Sequence, residues 1–125
     1  EVWGDGEQIR NWTYVDDIVS GTIATAEKIH DGTSINLGTM ERIKVKDCAD
    51  QVIDTLNPGA TIKLLTDKPT GPLNRVASNE LAKELLGWEP KTSFQVGLQK
   101  TIQWYIDSKT TEQASADLTR KLVGR

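Results

Sequence analysis

Helical periodicity dominates the chain, and strand-like alternation is confined to short stretches. Over residues 8–15 the pattern alternates. Arg10, Trp12 and Tyr14 fall on one face, and Ile9, Asn11, Thr13 and Val15 on the other. Gly4-Asp5-Gly6 ahead of it is a turn signal, because glycine takes positive φ without penalty. Asp16 suits an N-cap and Asp17 the first turn of a helix over 17–29, closed by Asp31-Gly32. Its apolar residues (Ile18, Val19, Ile23, Ala24, Ala26, Ile29) cover more than half the circumference, which predicts contact on more than one side. Short strands are expected over 34–37, ended by Gly38, and over 43–45. A helix over 46–56 places Ala49, Val52, Ile53 and Leu56 in one core stripe, and Asn57-Pro58-Gly59 stops it. A strand over 61–65 follows, and 67–74, with two prolines and a glycine, reads as a loop. Ser78 caps a short helix with Leu81, Ala82, Leu85 and Leu86 inward and Gly87 as its C′ residue. Thr92 and Gln95 form a capping box ahead of a helix over 93–108 that buries Phe94, Leu98, Ile102, Tyr105 and Ile106. After Lys109 the chain turns polar, with Leu118 and Leu122 its main apolar marks, so 109–125 is expected to be a weak helix or a polar tail.

These elements make a small α/β unit, α+β-like, with several helices packed on a few short strands. Its 125 residues suffice for one domain, and 37% hydrophobic with 26% charged residues fits a folded globular chain rather than a disordered one. The net charge of −3 excludes a generally basic nucleic-acid binder, yet leaves five arginines that could build a local anion site. Cys48 is the only cysteine and His30 the only histidine, so an intrachain disulfide, a cysteine zinc cluster and a multi-histidine metal site are all excluded. No window approaches the roughly 18 apolar residues of a membrane span, and the first residues lack the pattern of a signal peptide. A cytoplasmic location is therefore expected, with no membrane or nucleic-acid partner. The first residue is Glu1 rather than Met, which points to missing or removed sequence upstream.

The chain carries no G-x-x-x-x-G-K-[ST] loop and no G-x-G-x-x-G opening a helix. Tyr14 is followed four residues on by Ile18, so it makes no Tyr-x-x-x-Lys pair. Tyr105 is followed by Lys109, but it falls on the core face of its helix, where a packed ring with a nearby lysine is the expected arrangement. Arg10, beside Trp12 and Tyr14 on a strand face, suits a nucleotide diphosphate through its planar charged fork. It could equally cover the rings by cation–π contact, and spacing alone favours that second role. Arg75 lies between the rigid Pro69-Thr70-Gly71-Pro72 loop and a helix N-terminus, where it could bind an anion or pair with Glu80 or another carboxylate. Helix capping accounts for Asp16 and Asp17 better than paired acid–base chemistry does. Cys48 is expected to be a small buried hydrophobe and His30 a partly exposed residue at a helix end.

Several motifs in series carry a resemblance. Gly4-Asp5-Gly6-Glu7-Gln8-Ile9-Arg10-Asn11-Trp12-Thr13-Tyr14-Val15-Asp16-Asp17 resembles the "GDG-x-Q-x-R-x-aromatic-x-YVDD" stretch of extended short-chain dehydrogenases/reductases, the NAD-dependent nucleotide-sugar epimerases and dehydratases. Ser34-Ile35-Asn36-Leu37-Gly38 is similar to their "YNIG" strand, and Gly71-Pro72-Leu73-Asn74-Arg75-Val76-Ala77 to their loop ending in "R-x-A-D". Leu86-Gly87-Trp88-Glu89-Pro90, Phe94, Gly97-Leu98, Thr101 and Trp104-Tyr105 resemble the ending "LGW-x-P … F-x-x-GL-x-x-T-x-x-WY". The match runs in order from residue 1 to about 107. Pro72 follows Gly71 where some relatives have Arg-x-Gly-Asp, so their ribose contact is not carried over. Ser78 stands where many carry Asp.

The resemblance implies that 1–108 is the C-terminal, nucleotide-sugar-binding portion of such an enzyme, lacking its Rossmann half. Arg10 and Arg75, with Trp12 beside them, then hold the substrate's nucleotide diphosphate. The glycine-rich NAD loop and the Tyr-x-x-x-Lys pair would lie in the missing half. This chain alone is expected to bind no NAD, to be inactive and to bind a nucleotide-sugar weakly, whereas the complete enzyme, an isomerase or lyase, uses NAD. The rival expectation is a non-catalytic interaction module. In it the broad apolar face of the 17–29 helix self-associates as a homo-oligomer, such as a dimer, or complements a separate Rossmann-domain chain.

Overall fold

A computed structural model describes residues 1–110, 113, 114 and 116. Through residue 108 the elements are β1 (Val2–Trp3), β2 (Ile9–Arg10), α1 (Val15–Lys28), β3 (Ile43–Lys44), α2 (Val45–Leu56), β4 (Leu64–Leu65), β5 (Asn74–Arg75), α3 (Glu80–Leu86) and α4 (Phe94–Ser108). The expected mixed α/β class, helices with a few short strands, is what forms. β1 pairs with β4 in parallel, and β2 lies between antiparallel β3 and parallel β5. Gly4 and Gly6 both take positive φ, and the Asp5 carboxylate accepts the Glu7 N–H at 3.0 Å, so the turn that aims β2 is the one its sequence announces.

The core is small. Ala82 and Leu86 of α3 and Trp88 form its centre, with Ala24, Ile29, Ile35 and Leu37 packed against them. α1 lies close against Leu37 and Trp88 because Gly21 has no side chain. A Cβ there would lie 2.8 Å from Leu37 and 2.9 Å from the Trp88 ring. The Trp88 indole N–H is satisfied by the Asp17 carbonyl at 3.2 Å and the Ser20 hydroxyl at 3.0 Å. Gly87 ends α3 with φ +66°, as its sequence position predicts.

Several expectations are corrected. α1 begins at Val15 after a Tyr14 cap, so Asp16 is not the N-cap; both aspartates sit in the first turn. Asp17 is buried and its carboxylate accepts the Thr92 N–H at 2.9 Å, tying α1 to the turn before α4. That bond removes Thr92 from its capping box, and Ser93 caps α4 instead, accepting from Val96 at 3.4 Å. Residues 34–37 join no ladder among the described residues. Ile35 and Leu37 pack on the core, but no neighbouring strand offers them hydrogen bonds. The strand expected over 61–65 shrinks to β4, the part in register with β1, and Asn74, the last residue of the expected loop, pairs with β2 together with Arg75. α2 buries none of its stripe fully, and Leu56 is exposed. Leu81, Leu85, Tyr105 and Ile106 are exposed as well, because nothing among the described residues packs over those faces. The expected packed environment of Tyr105 is therefore absent. Ser78 does accept the Glu80 N–H at 3.2 Å, with α3 starting one residue after Asn79. The expected character of 109–125 falls mostly outside the described residues. Within it, Thr110 and Gln113 exchange reciprocal side-chain bonds at 3.0 and 3.2 Å, the geometry of a capping box.

Candidate functional site

Parallel pairing of β2 with β5 sets Arg10 opposite Arg75. Paired positions on adjacent strands send their side chains to the same face, so residues sixty-five positions apart share one face of the sheet. Two like charges so placed repel, and dipoles, solvent or an anion can offset that repulsion. Arg10 has the dipoles. Its Nη1 donates to the Ile9 carbonyl at 2.7 Å and the Pro72 carbonyl at 2.8 Å, and its Nη2 to the Thr70 carbonyl at 3.2 Å. Those bonds, rather than cation–π contact with Trp12 or Tyr14, occupy the guanidinium. The side chain of Arg75 is exposed and has no ion pair or hydrogen bond among the described residues, Glu80 included.

Trp12 goes elsewhere. It is exposed and lines a cleft of about 820 Å³ between the 11–16 segment and α4, with Tyr14, Phe94, Leu98 and Trp104 among the walls. Neither arginine lines that cleft. Gly97 lets α4 come down on Tyr14, whose Cβ would be 3.2 Å from any Cβ added there. Lys100 stands 5.0 Å from the centre of the Tyr14 ring, and this is the cation–π contact of the region. No sequence signal marks Lys100, because its partner is chosen by the crossing of α4 over the 11–16 segment.

A polar network braces both places. The Asn11 amide donates to the Thr39 carbonyl at 3.2 Å, and Thr39 N–H to the Thr13 hydroxyl at 3.0 Å. The Glu41 carboxylate accepts the Phe94 N–H at 2.8 Å, where the N-terminal dipole of α4 favours a negative charge. Glu7, just before β2, pairs with Lys44 at 2.7 Å and with Lys46. Bonding to Lys44 first, and Lys46 second, holds its carboxyl well below the usual range, at about 2. Lys46 is raised in turn by Glu7. Cys48 is half-buried on the cleft wall, and burial pushes its thiol up. His30 is exposed just past α1. No group of three or more His, Cys, Asp or Glu side chains could hold a metal among the described residues, and no described helix is long and apolar enough to cross a membrane.

With an arginine pair on one sheet face and a separate apolar cleft, the relatives become informative. A family model described as GDP-mannose 4,6 dehydratase matches residues 1–101. The chain belongs to the NAD-dependent nucleotide-sugar epimerase/dehydratase family of extended short-chain dehydrogenases. It is 37% identical over 101 residues to UDP-glucuronic acid decarboxylase 1 of Arabidopsis thaliana, covering 81% of this chain and 23% of that protein. To dTDP-glucose 4,6-dehydratase of Escherichia coli it is 31% identical, covering 93% of this chain and 35% of the relative. Among solved structures it is similar to the UDP-glucuronic acid 4-epimerase of Bacillus cereus in complex with UDP-glucuronic acid and NAD. The TM-score is 0.70 at 32% identity, over 78% of this chain and 32% of that one. An epimerase from Methanothermobacter thermautotrophicus gives 0.77 at 30% identity, over 85% and 32%. The chain thus spans about a quarter to a third of these relatives' length.

Proposed function

We propose that this chain is the nucleotide-sugar-binding portion of an NAD-dependent epimerase, dehydratase or decarboxylase, and that it anchors the substrate's diphosphate at the β2–β5 edge. The pairing of Arg10 with Arg75 carries the proposal. Arg75 is exposed and has no competing partner among the described residues, and Arg10 paired beside it adds positive charge to the face a pyrophosphate would approach. Such an anchor spends binding energy on orienting the sugar, which is how a part remote from the chemistry serves the reaction. No glycine-rich loop opens any of these helices, so the residues of this chain do not form the family's dinucleotide site; NAD and the proton-transfer residues would belong to the remaining length of the enzyme. The chain alone is then a weak binder without turnover, working in the cytoplasm. Calorimetric titration with UDP, dTDP and GDP tests this. One of them should bind, and Arg75→Ala should weaken it about tenfold or more, the scale of one charged phosphate contact. Absence of binding by all three, or full binding by the Arg75→Ala variant, refutes the anchor.

A second reading has its own support. Val15, Val19 and Ile23 form a row on α1 that is more than half exposed. An uncovered apolar face of that kind fits a Rossmann-domain chain or a second copy. Size-exclusion chromatography with light scattering should show a species above the monomer mass that Val19→Glu returns to monomer. A wild-type monomer at every concentration counts against it.

A further inference from the structure

We propose that residues 111–125 fold back along α4 as an amphipathic helix that closes the cleft between α4 and the 11–16 segment. Neither arginine lines that cleft, so the closure is independent of the diphosphate anchor. The cleft leaves large rings in water: Trp104 is 62% and Trp12 42% exposed, and Tyr14, Phe94 and Leu98 share its walls. Covering apolar surface gathered in one concavity is favourable in proportion to its area. α4 walls the cleft from Phe94 to Trp104 and ends at Ser108. A new helical turn starts two residues later. The Ala114 N–H donates to the Thr110 carbonyl at 2.9 Å, and Thr110 and Gln113 exchange reciprocal cap bonds. Lys109 between the two helices is extended, with φ −129° and ψ 131°. Helices joined by so short a link lie antiparallel, side by side. Residues 111–125 number fifteen, the length of α4. At about 1.5 Å per residue each spans roughly 22 Å, so the returning segment reaches from the Trp104 end of the cleft to its Phe94 end.

Sequence and burial agree on the face that turns inward. Ala114, Leu118 and Leu122 stand four apart and make one stripe on a helix, while Gln113, Ala116 and Arg120 fall on the other side. Of the described positions, Ala114 is half-buried and Gln113 and Ala116 are exposed. Counting back along an antiparallel pair brings Ala114 to the level of Trp104, Leu118 to that of Thr101 and Leu122 to that of Gly97. Large then meets small at each level, which is how facing helices interdigitate.

Cys48 supplies the readout. It is the only thiol of the chain and stands half-buried on the cleft wall, so maleimide labelling reports access to the cleft alone. The full chain is compared with a double variant, Leu118→Asp with Leu122→Asp, and with Ala116→Glu on the outward side. The docked helix predicts slow labelling in the wild type and in Ala116→Glu. It predicts labelling about tenfold faster in the double variant, since two leucines lost from an apolar contact shift a local docking equilibrium by at least that much. Nuclear Overhauser contacts between the Leu118 and Leu122 methyls and the Trp12 or Trp104 indoles should appear in the wild type, within one molecule. Equal labelling of wild type and double variant overturns the closure, and so does a rate in Ala116→Glu raised as far as in the double variant. Absence of the methyl–indole contacts overturns it as well. Contacts seen only between differently labelled copies give the cleft to a second copy instead and overturn it too. Should the double variant fail to fold, the contacts in the wild type decide alone.

Discussion

Replacing Asp17 by alanine tests the buried tie between α1 and the start of α4. The carboxylate is 6% exposed and accepts the Thr92 N–H at 2.9 Å. Alanine leaves that partly buried donor without its partner, a loss of about 1–3 kcal/mol. It also removes a negative charge from the first turn of α1, worth about 0.3–1 kcal/mol. The expected total is about 1.3–4 kcal/mol, against a stability of about 5–15 kcal/mol for a domain of this kind. Asp17→Asn keeps an acceptor oxygen in the same place and should cost only the charge contribution, about 1 kcal/mol or less. Urea unfolding followed by Trp fluorescence measures both, since Trp88 donates to the Asp17 carbonyl and reports on this corner. Equal destabilisation by the two variants would mean that charge, not the Thr92 bond, is what matters. A loss under about 0.5 kcal/mol for Asp17→Ala, the scale of an ordinary surface change, would remove the tie altogether.

Two further outcomes are expected. Gly21→Ala gains about 1 kcal/mol of helix propensity but forces a methyl to within 2.8 Å of Leu37 and 2.9 Å of Trp88; with overpacking costing about 1–3 kcal/mol the variant should unfold at lower urea, and a stabilised variant would show that Leu37 and Trp88 yield freely. Glu7, held down from 4.5 to about 2, contributes stability that is fully present above the unfolded value and is lost as pH falls toward about 2; a carboxyl NMR titration should find its midpoint near there, moving up in Lys44→Ala, and an unmoved midpoint would detach Glu7 from Lys44.

What the sequence made legible, and what it hid, divide along a physical line. Signals that act through a residue's own backbone came through: the Gly4-Asp5-Gly6 turn, the left-handed Gly87 and helices α1 to α4. Signals that depend on a distant partner did not. Asp17 looks like a helix-start residue until Thr92 arrives, and that arrival moves the α4 cap to Ser93. Residues 34–37 have strand composition, but a strand exists only beside another, and none is offered among the described residues. Tyr105 and Ile106 have the spacing of a core face without anything packed on it. At the site, the arginine positions were visible as motif positions. The carbonyls that occupy Arg10 and the departure of Trp12 into a separate cleft were not, because both follow from where the 70–72 turn and α4 come to rest.

Each strand here is two residues long, so the ladders contribute few bonds and cannot hold register by themselves. Side chains bonding to distant backbone do that work instead. The Gln8 amide donates to the Trp3 carbonyl, Asn11 to Thr39, Arg10 to Thr70 and Pro72, and Lys28 to Leu86, while Asp17 and Glu41 accept from Thr92 and Phe94. These ties run from one segment to another across the loops between elements, and the aliphatic core is small. Polar substitutions that look conservative on an ordinary surface therefore reach the fold here, since each tie leaves a main-chain group to be satisfied elsewhere when its side chain is lost. The same reasoning places the arginine edge among the last features to become stable. β2 and β5 are joined by a crossover that contains α1, β3, α2 and β4, and a parallel pair forms only when that whole stretch is closed. An anion bound at the edge, by favouring the closed pair, would then stabilise the complete crossover and not merely the two residues it touches.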